Sequence, residues 1–177
     1  MRHYDLVRDF VSRSFDGNTR HFDRTVEWVK KLKPEADEAL LVAAMAHDIE
    51  RAHRTTDRFD DHEFDSREFL DHHQKDGADI IAKYLKEHGA EHDFVERVRH
   101  LVSAHEYGGD EDQDILKDAD SISFFECNAE FFIDKKVKEV GKDMVKRKFD
   151  WMFNRITSEK AKEIARPWYE KYAGELS

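Results

Sequence analysis

The stretch that most constrains this chain is Leu40-Leu41-Val42-Ala43-Ala44-Met45-Ala46, followed at once by His47-Asp48. It lies in the longest uninterrupted apolar run of a sequence that is 40% charged. Alanine and leucine favour helix, and a helix that is apolar on every side must be buried. That helix therefore carries an imidazole and a carboxylate inward at its C-terminal end, where an unpaired charge is costly. A cation is the natural partner if further ligands reach it. An imidazole nitrogen with a carboxylate oxygen suits Mn, Fe, Ni, Co or Zn. A second dyad, His92-Asp93, follows Gly89-Ala90-Glu91 and reads as the exposed start of another helix, with Asp93 near its N-cap.

The rest of the composition agrees with helices. Only 7 Gly and 2 Pro occur in 177 residues, so the expectation is an all-α, single-domain bundle of about seven to eight helices over residues 1–177. Cys127 is the single cysteine, which excludes an intrachain disulfide and fits a reducing, cytoplasmic location. No apolar span is long enough for a membrane helix, and no apolar leader follows the start. The net charge of −10 disfavours a nucleic acid polymer as partner.

Helical periodicity is expected over 3–15, 19–32, from Pro34 to the His47-Asp48 dyad, 73–88, 92–106, 112–139, 142–155 and 158–174, the last with a kink at Pro167. Residues 52–65 lack an apolar period and read as a polar connector or binding loop. No repeat or shift in composition marks a second domain. The histidines and acids at or near core-facing helical positions are His21, His47, Asp48, His73, His105 and Asp120, with His72 competing with His73 for the inward direction. His3, His53, His62, His88, His92 and His100 are assigned to the surface, to the loop, or to no role.

The order of these residues resembles the HD-domain superfamily of metal-dependent phosphohydrolases. The resemblance spans about residues 18–125. It rests on Ala43-Ala44-Met45-Ala46-His47-Asp48-Ile49, on His73 with Gly77-Ala78, on Val102-Ser103-Ala104-His105 and on Lys117-Asp118-Ala119-Asp120. It implies an HD-type bundle in which His21, His47, Asp48 and Asp120 are metal ligands, with His73 and His105 holding a second metal or a substrate phosphate. The sequence departs from the pattern at Glu50-Arg51, where many members have a glycine after the dyad. It departs again at Ser121-Ile122-Ser123, where related small bacterial proteins read Arg-Leu-Asp. Residues 126–177 match nothing specific and are expected to complete the bundle and to offer a homodimer contact.

The activity this implies is hydrolysis of a nucleotide or other phosphate ester with one or two divalent transition metals. Asp48 would orient or deprotonate water, His73 and His105 would assist, and Glu50 would carry a proton. Arg51 and Lys117 are the adjacent cations expected to touch substrate phosphate. The same six residues also resemble di-iron oxygenases of the superfamily that cleave C–C or C–P bonds. A third reading is a non-catalytic metal- or nucleotide-binding protein.

Overall fold

The computed structural model describes residues 2–54 and 64–176. It is helical throughout, with no strand among the described residues. The helices are α1 (Arg2–Ser14), α2 (Arg20–Leu32), α3 (Glu38–Ala46), α4 (Glu50–His53), α5 (Arg67–Glu87), α6 (His92–Val102), α7 (Glu111–Cys127), α8 (Ala129–Phe131), α9 (Val137–Val140), α10 (Lys142–Asn154) and α11 (Glu159–Glu175). A π-helical turn, Phe132–Lys136, joins α8 to α9.

Helix α3 is the axis of the fold. Every residue of it from Ala39 to Ala46 is buried, and it packs on α1, α2, α6 and α7. Asp37 caps its start by accepting a 2.9 Å hydrogen bond from the Leu40 amide. Helix α2 lies along α7, α5 along α6, and α11 covers α7 and α10. One apolar cluster runs from Val7 in α1 to Leu176.

Several boundaries differ from the sequence expectation, each for a local reason. Helix α5 begins at Arg67 because the Ser66 hydroxyl caps the Phe69 amide, which adds a turn ahead of His73. Most of the expected polar loop, residues 55–63, lies outside the described residues, and its first part is the short α4. Helix α6 stops at Val102, so His105 sits in the turn beyond it. The single long helix expected over 112–139 is interrupted at Asn128, a weak helix former, and continues as short pieces with a wide π turn. Pro167 lies inside α11, where it removes one backbone donor. No helix among the described residues is long and apolar enough to cross a membrane.

Candidate metal centre

The end of α3 delivers His47 and Asp48 to a point where α2, α5 and α7 and the turn after α6 also arrive. His47 is fully buried, and its Nδ1 donates to the Ala44 carbonyl at 2.9 Å, one of the acceptors left open where a helix ends. His105 repeats the device three residues past Val102, its Nδ1 donating to the Val102 carbonyl at 2.8 Å. In both rings this fixes the tautomer and leaves Nε2 aimed inward. His73 hydrogen-bonds Glu50 Oε2 through Nδ1 at 2.8 Å and presents Nε2 to Asp48 Oδ1 at 2.8 Å. His21 places Nδ1 against the Ser123 hydroxyl at 3.0 Å, and that hydroxyl donates to the His21 carbonyl at 2.9 Å. All four imidazoles are thus held at Nδ1 by an oxygen that is not a ligand. That arrangement orients metal-binding histidines through their second nitrogen.

The inward atoms form two groups. His21, His47 and Asp120 bring ligand atoms within 4.8 Å of one another, and so do Asp48, His73, His105 and Glu106. In the first group, Asp120 Oδ1 lies 3.0 Å from His21 Nε2 and 3.3 Å from His47 Nε2, and the two Nε2 atoms are 3.3 Å apart. In the second, His105 Nε2 is 3.9 Å from Asp48 Oδ1 and 3.7 Å from Glu106 Oε1. It is buried without a hydrogen-bond partner among the described residues. A buried imidazole nitrogen aimed at two carboxylates and bonded to nothing fits a missing cation. Four imidazoles with Asp48, Glu106 and Asp120 form a nitrogen and oxygen donor set suited to divalent transition metals.

Charge compensation explains how so many acids share this interior. Burial opposes ionisation of Asp120, yet the Arg155 guanidinium and His47 beside it hold its carboxyl well below the ordinary range. Burial likewise opposes Asp48, and Arg51, bonded through Nε to Oδ2 at 2.6 Å, outweighs it with His73. Arg155 bridges both groups, pairing with Glu106 and with Asp120, and its Nε donates to the Ser121 hydroxyl at 2.9 Å. Burial disfavours charge on His47, but Asp120 raises its pKa to about 9. Burial holds His105 down to about 4, so its ring is neutral and open for coordination at ordinary pH.

The two groups stand at one end of a cavity of about 270 Å³. His21, Asp48, Glu106 and Asp120 contribute to its floor, and Arg51, Arg54, Lys136, Lys148 and Arg155 supply cations. Its remaining walls are largely aromatic and apolar, including Phe64, Phe69, Phe124, Phe132 and Trp151.

All six residues singled out in the sequence, His21, His47, Asp48, His73, His105 and Asp120, meet here. His73 rather than His72 is the buried neighbour. Glu50 stands behind His73 and is paired with Arg54 at 2.7 Å, so it orients the ring and does not face the cavity. Lys117 is a correction. Its ammonium is consumed by the Tyr107 carbonyl, Asp114 and Thr157 at 3.2, 2.9 and 2.7 Å, and it is no part of the cavity lining. Sequence reasoning missed Glu106, Lys148 and Arg155. The pairing of His105 with an adjacent acid was a visible signal for Glu106, whereas nothing local marks the other two.

Fold and side chains together define an all-α protein with an HD-type fold and two adjoining groups of candidate metal ligands. A predicted HD superfamily hydrolase from an uncultured Thermotogales bacterium, whose crystal structure was determined at 1.45 Å, shares the fold. Its TM-score is 0.55 at 19% identity, spanning 98% of this chain and 87% of that one. The chain belongs to the family described as domain of unknown function DUF4202, which matches residues 11–168. No curated protein matches the sequence.

Proposed function

We propose that this protein is a metal-dependent phosphohydrolase acting on a nucleotide or other phosphate ester. The observation that carries the reading is the orphaned Nε2 of His105, buried among converging ligand atoms of which Asp48 and Glu106 also line a cavity rich in cations. His21, His47 and Asp120 would hold one ion, and Asp48, His73, His105 and Glu106 a second. When bound, a divalent ion supplies Lewis acidity and lowers the pKa of water. Asp48 Oδ1, facing both His73 and His105, is the carboxylate oxygen placed to orient or accept a proton from an attacking water.

The charge balance favours an anionic substrate. Asp48, Glu50, Glu106 and Asp120 are already answered by Arg51, Arg54 and Arg155. Any divalent ion added to this arrangement leaves the site positive, which attracts a phosphate monoester and stabilises charge developing on it. The same donor set would also hold two irons, and a di-iron oxygenase cleaving a C–C or C–P bond is the second reading.

The test is elemental analysis of protein purified without added metal, followed by a phosphate-release screen over nucleotides and simple phosphate esters with Mn, Co, Ni, Zn or Fe. Phosphate release that is lost with bound metal in Asp48→Ala supports the hydrolase. Two irons per chain, with dioxygen consumption and no phosphate release from any ester, would replace it with the oxygenase.

A further inference from the structure

We infer that Lys148 is the anion-binding residue of this cavity and that the ligand is a phosphate monoester carrying a flat aromatic body. The inference deepens the phosphohydrolase reading and rests on it for the metal centre, but it concerns residues of α10 and α7 that the centre does not use.

The cations lining the cavity differ in how they are employed. Arg155 is shared between Glu106 and Asp120, Arg54 is paired with Glu50, and Lys136 lies 2.8 Å from Glu139. Arg51 donates to Asp48 through Nε, which leaves its terminal nitrogens without a bond among the described residues. Lys148 alone among these cations has no carboxylate within salt-bridge distance among the described residues. Its ammonium lies instead over aromatic rings, 4.5 Å from the centre of Trp151, 4.8 Å from Phe64 and 5.8 Å from Phe124. Cation–π attraction retains an ammonium there without neutralising it. An uncompensated ammonium at a cavity wall, beside the free edge of the Arg51 guanidinium, is a preformed anion site.

The walls define the remainder of the ligand. Asn128, Phe132, Lys136, Val140, Met144 and Lys148 recur every fourth residue from the end of α7 through the π turn into α10, and all line the cavity. Phe124, Phe132, Val140, Met144 and Trp151 give the same lining apolar and aromatic surface beside the carboxylates. A phosphate held near Lys148 and the metal groups would lay an aromatic body against these rings. A flexible polyol phosphate would leave them uncovered. Stacking of a base on an aromatic side chain is sequence-tolerant and strengthens binding substantially.

The test measures binding, not turnover, by calorimetry on Mn-loaded protein with three probes that ester hydrolysis cannot consume: inorganic phosphate and the phosphonate analogues of adenosine 5′-monophosphate and glycerol 3-phosphate. Lys148→Met keeps the apolar stem and removes the charge. It should weaken all three probes by roughly ten- to a hundred-fold while bound Mn is unchanged. Lys148→Arg should recover most of that loss. Trp151→Leu should remove the preference for the nucleotide analogue over the glycerol 3-phosphate analogue, roughly ten-fold, and weaken inorganic phosphate by less than Lys148→Met does, because Phe64 and Phe124 still hold the ammonium. Undiminished phosphate binding by Lys148→Met, or equal affinity of wild type for the two phosphonates, would overturn the inference. Binding that follows Lys148 and Trp151 as stated, with no ester hydrolysed, would sink the hydrolase and leave this site standing.

Discussion

Arg155 offers a direct measure of how the metal centre is held together before a metal arrives. Its side chain is 8% exposed, stacks at 4.6 Å over Trp151, and bridges Glu106 and Asp120, one acid from each ligand group. Arg155→Met keeps the stacked volume and deletes the charge, leaving Glu106 without its guanidinium partner and Asp120 with only the imidazoles of His21 and His47 beside it. Removing one partner of a buried ion pair costs about 3–5 kcal/mol. For a chain of this length each kcal/mol moves the midpoint by about 2–4 °C, so the metal-free variant should melt on the order of 10 °C below wild type. Divalent metal supplies the missing positive charge to the same acids, so saturating Mn should close at least half of the gap. Differential scanning calorimetry in chelator and then in excess Mn gives both numbers. A gap that is equally wide with metal would mean that Arg155 supports the fold independently of the ligand groups. A gap under about 2 °C in chelator would mean that its ion pairs are not what stabilises the acids.

Three further outcomes follow from the same geometry. His92→Ala should leave metal content unchanged, because that ring is exposed and, among the described residues, lies 3.4 Å from the Asp93 carboxylate and joins neither ligand group; His47→Ala should lose tight metal, and equal losses would mean the wrong dyad was chosen. The folded pKa of His47, about 9, lies above its unfolded value, so its charged form stabilises the metal-free protein below about pH 6.5 and that contribution disappears as pH rises through about 9. Metal binding displaces that proton, so loading at pH 7.5 in weak buffer should release at least one proton per chain, and none released would contradict the assignment of His47 as a ligand. Gly108→Ala should destabilise strongly, by a few kcal/mol, because φ is +76° and the new Cβ would collide with Asp114 Oδ1; an unshifted midpoint would refute the described turn.

The parts of this site that could be read from the sequence are those fixed by one helix at a time. An apolar run with no polar face could only be buried, so the positions of His47 and Asp48 followed from α3 alone. His73 followed from its spacing to Gly77, Ile80 and Ile81, of which Gly77 and Ile81 are buried and Ile80 is half-buried. His105 was placed by extending the stripe of α6, although the helix ends at Val102 and the ring arrives inward by capping the Val102 carbonyl. Lys117 shows where the method fails. Helix α7 is buried on nearly all sides from Leu116 to Phe125, so the period carries little information about which polar residue faces which neighbour. Adjacency to Asp120 put Lys117 in the site, whereas the carbonyl of Tyr107 and the hydroxyl of Thr157 drew its ammonium elsewhere.

What sequence could not supply is the compensation of charge between distant segments. Glu106 and Arg155 are 49 residues apart, and Asp120 and Arg155 are 35 apart, so no helical period relates them. Arg155 falls just past the end of α10, where the apolar pattern of that helix has already stopped. Yet three buried acids cannot converge near one another without cations supplied by some part of the chain. That requirement was inherent in the ligand set itself: Asp48, Glu106 and Asp120 are three carboxylates, and of the cavity's cations in the first 125 residues only Arg51 pairs with one of them, Arg54 being taken by Glu50. The C-terminal segment, which carries no recognisable motif, supplies the missing cation: Arg155, just after α10, pairs with both Glu106 and Asp120. Residues 126–177 therefore shape the centre by charge and by aromatic wall, which is a role that a search for ligand motifs passes over.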